Sequence, residues 1–201
     1  MKRFVGIGDS IVHGTSFEER FGIVENNFIK IVGEKLGFDE IINYGVNGTT
    51  VCPMTEWRPT LAMCLYVDEM LPGDLAIIAG GTNDYGRNIE IGSVEDSTDK
   101  TFYGSLNLLF VKAKKRFRNV FVITPIKRIG ENEKNKKGYI LSDYRNAIKT
   151  KANEFEIPVI NGIEINFDFK KHIPDGLHPN REGHKVYANF VINEIKKIRI
   201  K

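Results

Sequence analysis

Cysteine is almost absent from this chain. Its 201 residues include two, Cys52 and Cys64, too few for the disulfide framework of a small secreted scaffold and wrongly spaced for a zinc site. Free, packed thiols are therefore expected. Long apolar runs are missing too: no stretch approaches the length of about 20 residues that a membrane-spanning helix needs. Residues 1–30 lack the apolar core and small-residue cleavage site of a secretory signal, so the chain as given reads as cytoplasmic. An excess of one charge is the third absence. Lys and Arg number 29 against 26 Asp and Glu, a balance that argues against nucleic acid as a partner. The basic clusters at 112–118 and 134–137 fall at a helix end and in a loop, where they read as solvated surface.

What is present is an ordinary globular composition, 41% hydrophobic and 27% charged, which excludes disorder. No repeat, low-complexity segment or linker interrupts it, so one domain over residues 1–201 is expected. Short apolar runs alternate with helical periodicity. Strands are expected at 3–9, 40–44, 74–81, 119–124 and 157–160. Leu75-Ala76-Ile77-Ile78-Ala79 lacks polar alternation and reads as the central strand of a parallel sheet. Helices are expected at 24–36, 101–117, 139–155 and 181–197, with a further one at 60–70 that places Leu61, Leu65 and Met70 on one side. Residues 85–98 read as a loop. This order gives βαβ units, hence an α/β fold: a three-layer α/β/α sandwich around a parallel sheet of about five strands.

Four stretches carry chemistry. Gly8-Asp9-Ser10 follows the first strand, where ligands bind in open α/β sheets. Asn43-Tyr44-Gly45-Val46-Asn47-Gly48 follows the second and Gly81-Thr82-Asn83-Asp84 the third. Asp175-Gly176-Leu177-His178-Pro179 precedes the last helix. Together they hold what a serine nucleophile needs: a base, an orienter for it and hydrogen-bond donors for an oxyanion. Each also has a plainer reading. Ser10 suits a turn or helix cap, Gly48 a turn of positive φ, Asn83 a bond within its own loop, and Asp175-Gly176 a turn dipeptide.

Taken in order, the four stretches resemble the sequence blocks of the SGNH hydrolases, also called the GDSL esterase/lipase family. The resemblance spans almost the whole chain. It implies Ser10 as nucleophile, His178 as base and Asp175 as its partner, with the Ser10 N–H, the Gly48 N–H and the Asn83 amide as oxyanion donors. Ile11 stands where the family often has Leu, an equivalent apolar residue. The G-x-S-x-G elbow of α/β-hydrolases is missing around Ser10, which argues against that fold.

The expected activity is serine ester hydrolysis without metal or organic cofactor, on a short acyl ester of a polar alcohol such as an acetylated carbohydrate. Long-chain lipase, lysophospholipase-like or thioesterase activity is the alternative, as is a catalytically silent glycan-binding module. A flavin or nucleotide binder of similar architecture is disfavoured by the lack of a phosphate-binding glycine loop after the first strand. Tyr85, Trp57 and His13 are candidate substrate-binding residues. Asp9 is expected to steady the serine turn, and His184 to pack on or cap the last helix. His13, His172 and His184 have no metal-site spacing.

Overall fold

The computed structural model describes residues 1–19 and 22–198. Strands β1 (Arg3–Gly8), β2 (Glu40–Gly45), β3 (Leu75–Ala79), β4 (Val120–Ile123) and β5 (Val159–Ile160) form one sheet in the order β2-β1-β3-β4-β5. Every neighbouring pair is parallel. The expected α/β architecture is the observed one.

Alternate residues of the strands face opposite layers, as the two-residue period of a strand requires. Val5, Ile7, Ala76, Ile78, Val120 and Val122 face helices α3 (Met63–Tyr66), α5 (Phe102–Arg116) and α6 (Leu141–Glu154). Phe4, Leu75, Ile77, Phe121 and Ile123 face α2 (Phe28–Lys35) and α8 (Arg181–Lys197). Burial on both sides is why β3 reads as an uninterrupted apolar run. No described helix is long and apolar enough to cross a membrane.

The register decides where the chemistry lies. Gly8 pairs with Gly45 on one side and Ala79 on the other, and Ala79 pairs with Ile123. Ile123 pairs in turn with Ile160, so all five strands end at one level, and the segments after them emerge side by side. Three of these segments contain single helical turns that the sequence suggested only as turns or loops: α1 (Ser10–His13), α4 (Thr82–Gly86) and α7 (Phe169–His172). Gly45 lets α1 sit directly on the end of β2, since a Cβ there would lie 2.2 Å from the His13 backbone nitrogen.

Two expected helices differ. The helix expected at 24–36 begins at Phe28, because the Asn27 side chain accepts from the backbone nitrogens of Ile29 and Lys30 and so caps it there. The helix expected at 60–70 is broken into α3 and two flanking 3₁₀ turns, at Pro59–Leu61 and Val67–Glu69. No side chain caps any of the three pieces. The buried side is Met63, Cys64, Val67 and Met70, while Leu61 and Leu65, expected on the same side as Met70, face solvent. Cys52 and Cys64 are free and buried, and burial pushes their thiols up to about 11 and about 12.

Candidate active site

Ser10 opens α1, one residue after Asp9. The Asp9 carboxylate accepts from the Ile11 backbone nitrogen at 2.9 Å and caps the turn. The Ser10 hydroxyl lies 3.0 Å from His178 Nε2, although 168 positions separate the two residues. On the other side of the imidazole, His178 Nδ1 is 2.6 Å from Asp175 Oδ2. A carboxylate can only accept, so Nδ1 carries the proton and Nε2 remains free to accept from Ser10.

Residues three apart reach one another here because Asp175 closes its own turn. Its Oδ1 accepts from the backbone nitrogens of Leu177 at 2.9 Å and His178 at 2.7 Å. Burial works to raise the Asp175 carboxyl, but the His178 backbone and ring donors and the Leu177 N–H outweigh it. The carboxyl is held below its ordinary value. Pro179 follows, and Asn180 then caps α8 through Gly183 at 3.0 Å, fixing where the helix begins beyond the histidine.

The donor side is built from the segments after β2 and β3. Gly48 has φ +73°, a left-handed conformation that favours glycine. Its N–H, like that of Ser10, has no acceptor among the described residues. Asn83 Nδ2 donates to the Thr49 carbonyl at 2.9 Å, which takes one amide hydrogen and leaves the other. The next residue, Asp84, is fully buried and accepts from the Val51 and Cys52 backbone nitrogens. Two consecutive side chains of α4 thus clamp the loop that carries Gly48. Burial, opposed by those N–H groups, pushes the Asp84 carboxyl up to about 7. Burial likewise raises Asp9 to about 6, against the Ile11 N–H and the charge of His178.

Of the three candidate substrate-binding residues, the structure leaves Trp57 most open. It is 50% exposed in a cleft of about 960 Å³ that also includes Met54, Arg87 and Lys136. A Cβ on Gly48 would stand 2.8 Å from its Nε1, so the cleft adjoins the glycine loop. His13 sits at the rim, with Nδ1 3.2 Å from Thr15 Oγ1, which donates to Asn47 Oδ1 at 2.6 Å. Tyr85 is a correction. It is buried, and its hydroxyl lies 2.8 Å from the carbonyls of both Gly130 and Glu133, holding that loop. Positions two apart on a helix differ by about 200°, so α4 turns Tyr85 inward as it turns Asn83 to the rim.

His184 caps a different helix from the expected one. Its Nδ1 accepts from the Phe28 backbone nitrogen at the start of α2, and burial pulls it down to about 3. Phe17 was not among the expected residues, yet its ring centroid stands 5.4 Å from that of His178 at 73°. Nor was the Asp84 clamp expected. Neither residue belongs to a periodic pattern; an aromatic ahead of the acids Glu18 and Glu19 was the one local signal.

A parallel α/β/α sandwich with this serine–histidine–aspartate array at the carboxyl ends of its strands is a fold of the SGNH-hydrolase type. The chain belongs to the GDSL-like lipase/acylhydrolase family, whose model matches residues 7–186. Among solved structures it resembles a Lactobacillus plantarum protein, with 24% identity and a TM-score of 0.81 over 98% of each chain. An acetyl xylan esterase from Geobacillus stearothermophilus superimposes with TM-score 0.67 at 20% identity, over 100% of this chain and 97% of that one. The aryl esterase of M. smegmatis does so at 0.70 and 19%, over 99% and 100%. No curated protein sequence matches the chain.

Proposed function

We propose that the protein is a serine ester hydrolase that works through an acyl-enzyme and removes short acyl groups, acetyl above all, from a polar alcohol such as a carbohydrate. The observation that carries this reading is the continuous array of Ser10 Oγ, His178 and Asp175, with contacts of 3.0 Å and 2.6 Å.

Ser10 Oγ attacks the ester carbonyl carbon while His178 Nε2 takes its proton. Asp175 holds the imidazole in the right tautomer and stabilises the imidazolium. Negative charge gathers on the carbonyl oxygen, where the Ser10 and Gly48 N–H groups and the free Asn83 amide hydrogen donate to it. Collapse breaks the carbon–alkoxy bond, and His178 hands the proton to the departing alcohol. Water, activated by the same imidazole, then releases the acid.

The preference for short acyl groups is supported by the rim. Asn47, Arg87, Asn88, Lys170 and Lys171 make it polar, whereas a long-chain enzyme needs a continuous apolar trough; Thr49 and Thr50 are buried and turn their hydroxyls to the Leu61 and Cys52 carbonyls. Pro53, Met54 and Trp57 offer a small apolar wall. Two structures of like fold are of an acetyl xylan esterase and an aryl esterase. The test is a p-nitrophenyl ester series run beside acetylated oligosaccharides, with Ser10→Ala as control. kcat/KM should peak at acetyl or propionyl and vanish in the variant. A rise continuing past octanoyl would favour the lipase alternative, and binding of glycans without turnover would favour a silent module.

A further inference from the structure

The described side chains around His178 include one that the proposed chemistry does not use. Phe17 is 76% exposed, yet its ring stands nearly perpendicular to the imidazole at 5.4 Å. An exposed phenylalanine alone needs no explanation, but this one is held in place from both sides. Thr15 and Ile23 bridge in antiparallel fashion, and Ser16 N donates to the Gly22 carbonyl at 3.0 Å. Beyond the ring, Asn180 Nδ2 donates to Glu18 Oε2 at 2.7 Å, and Arg181 pairs with Glu19 at 2.9 Å. Asn180 and Arg181 are the cap and first residue of α8, the helix that starts just after His178. The segment bearing Phe17 and the segment bearing the base are therefore fastened to each other.

Chemistry assigns a side of the substrate to that position. In the acylation step the Oγ–carbon bond forms, the carbon–alkoxy bond breaks, and the proton passes from Oγ through Nε2 to the alkoxy oxygen. That oxygen must come within hydrogen-bond reach of the imidazole, roughly 2.6–3.2 Å. The carbons it carries then extend past whatever stands beside the ring. We propose that Phe17 forms the leaving-group subsite and selects alcohols borne on a six-membered ring, whose flat C–H face lies against the exposed phenyl ring as a pyranose would. This rests on the esterase reading above and adds to it the class of alcohol. The acyl group, on the other side of the scissile bond, does not meet Phe17.

The experiment compares wild type, Phe17→Ala and Phe17→Trp on four acetates: ethyl, cyclohexyl, phenyl and a mono-O-acetyl methyl pyranoside. Because Phe17 is exposed, its removal leaves the fold intact. In Phe17→Ala, kcat/KM should fall about fivefold to tenfold for the three ring acetates. It should stay within about twofold for ethyl acetate, with tryptophan restoring the ring preference. The ratio of acetyl to butyryl ester for one alcohol should not move, nor should the post-burst deacylation rate or the pH–rate profile. An equal loss on all acetates, a shifted pH profile or an altered acyl ratio would show that Phe17 acts on His178 or on the acyl site and overturn the assignment. Unchanged kinetics would overturn it as well. Wild type inert toward every ester would overturn the esterase reading with it, whereas Ser10-dependent turnover unaffected by Phe17→Ala would overturn the subsite alone.

Discussion

Replacing Asp84 with asparagine isolates the stability that a buried carboxyl gives and takes away as pH changes. Asp84 is fully buried, and its pKa is pushed from 3.8 to about 7, chiefly by burial, which its two N–H donors only partly offset. The folded protein thus binds this proton more tightly than the unfolded chain does. The resulting stability is complete below the unfolded value and is lost as pH rises toward the folded one. Each pH unit in that window is worth about 1.4 kcal/mol, so Asp84 costs folding roughly 3 kcal/mol between pH 4.5 and pH 8. Asparagine removes the titration and can keep the clamp, because Oδ1 alone lies 3.1 Å from the Val51 nitrogen and 3.0 Å from that of Cys52. Urea unfolding of both proteins at pH 4.5 and pH 8 reads the difference. The variant should gain roughly 3 kcal/mol on wild type between the two pH values, while the decline due to Asp9 remains in both. Parallel stability curves for the two proteins would refute the claim that Asp84 is held protonated by burial.

Asn83→Ala should lower kcat on the order of 10²–10³ with little change in KM, as the proposed action of its amide on the developing oxyanion requires; a rise in KM with kcat intact would remove Asn83 from that role. Gly48→Ala meets a φ of +73° and a Trp57 nitrogen 2.8 Å from the new carbon. Steady-state kinetics and circular dichroism should show a folded protein with strongly reduced kcat, and full activity would mean that the loop's position is not critical.

The strands were legible because a parallel sheet covered on both faces demands apolar runs, and 75–79 is nothing else. Ser10, Asp175 and His178 could be named because each sits in a short polar motif at a strand or helix boundary, and the structure brings the three together. What was not legible depends on direction. Asn27 as a cap and Asp84 as a clamp are set by where a side chain points after its backbone has been placed. Tyr85 stood next to Asn83-Asp84 in sequence, but helical rotation sends it to the core. Residues 59–70 carry apolar residues at helical spacing, yet without caps the backbone breaks into three pieces, and the buried side becomes the one containing Met63 and Val67. Phe17 lies in an irregular segment whose path is set by contacts with α8, far along the chain.

The distance of 168 positions between Ser10 and His178 also sets a timetable. Chains are synthesised from the amino end at about 5–20 residues per second, so Ser10, the proposed nucleophile, exists for roughly 8–34 seconds before His178, its proposed base, has been made. During that interval β1, β2 and β3 can pair and Ser10 can take its place, yet the hydroxyl has nothing to accept its proton. On the esterase reading the nascent protein is inert until α8 packs against α2 and brings the histidine in. The Ser10–His178 contact thus forms late, and on the esterase reading any damage that undocks that helix removes turnover while most of the sheet still stands.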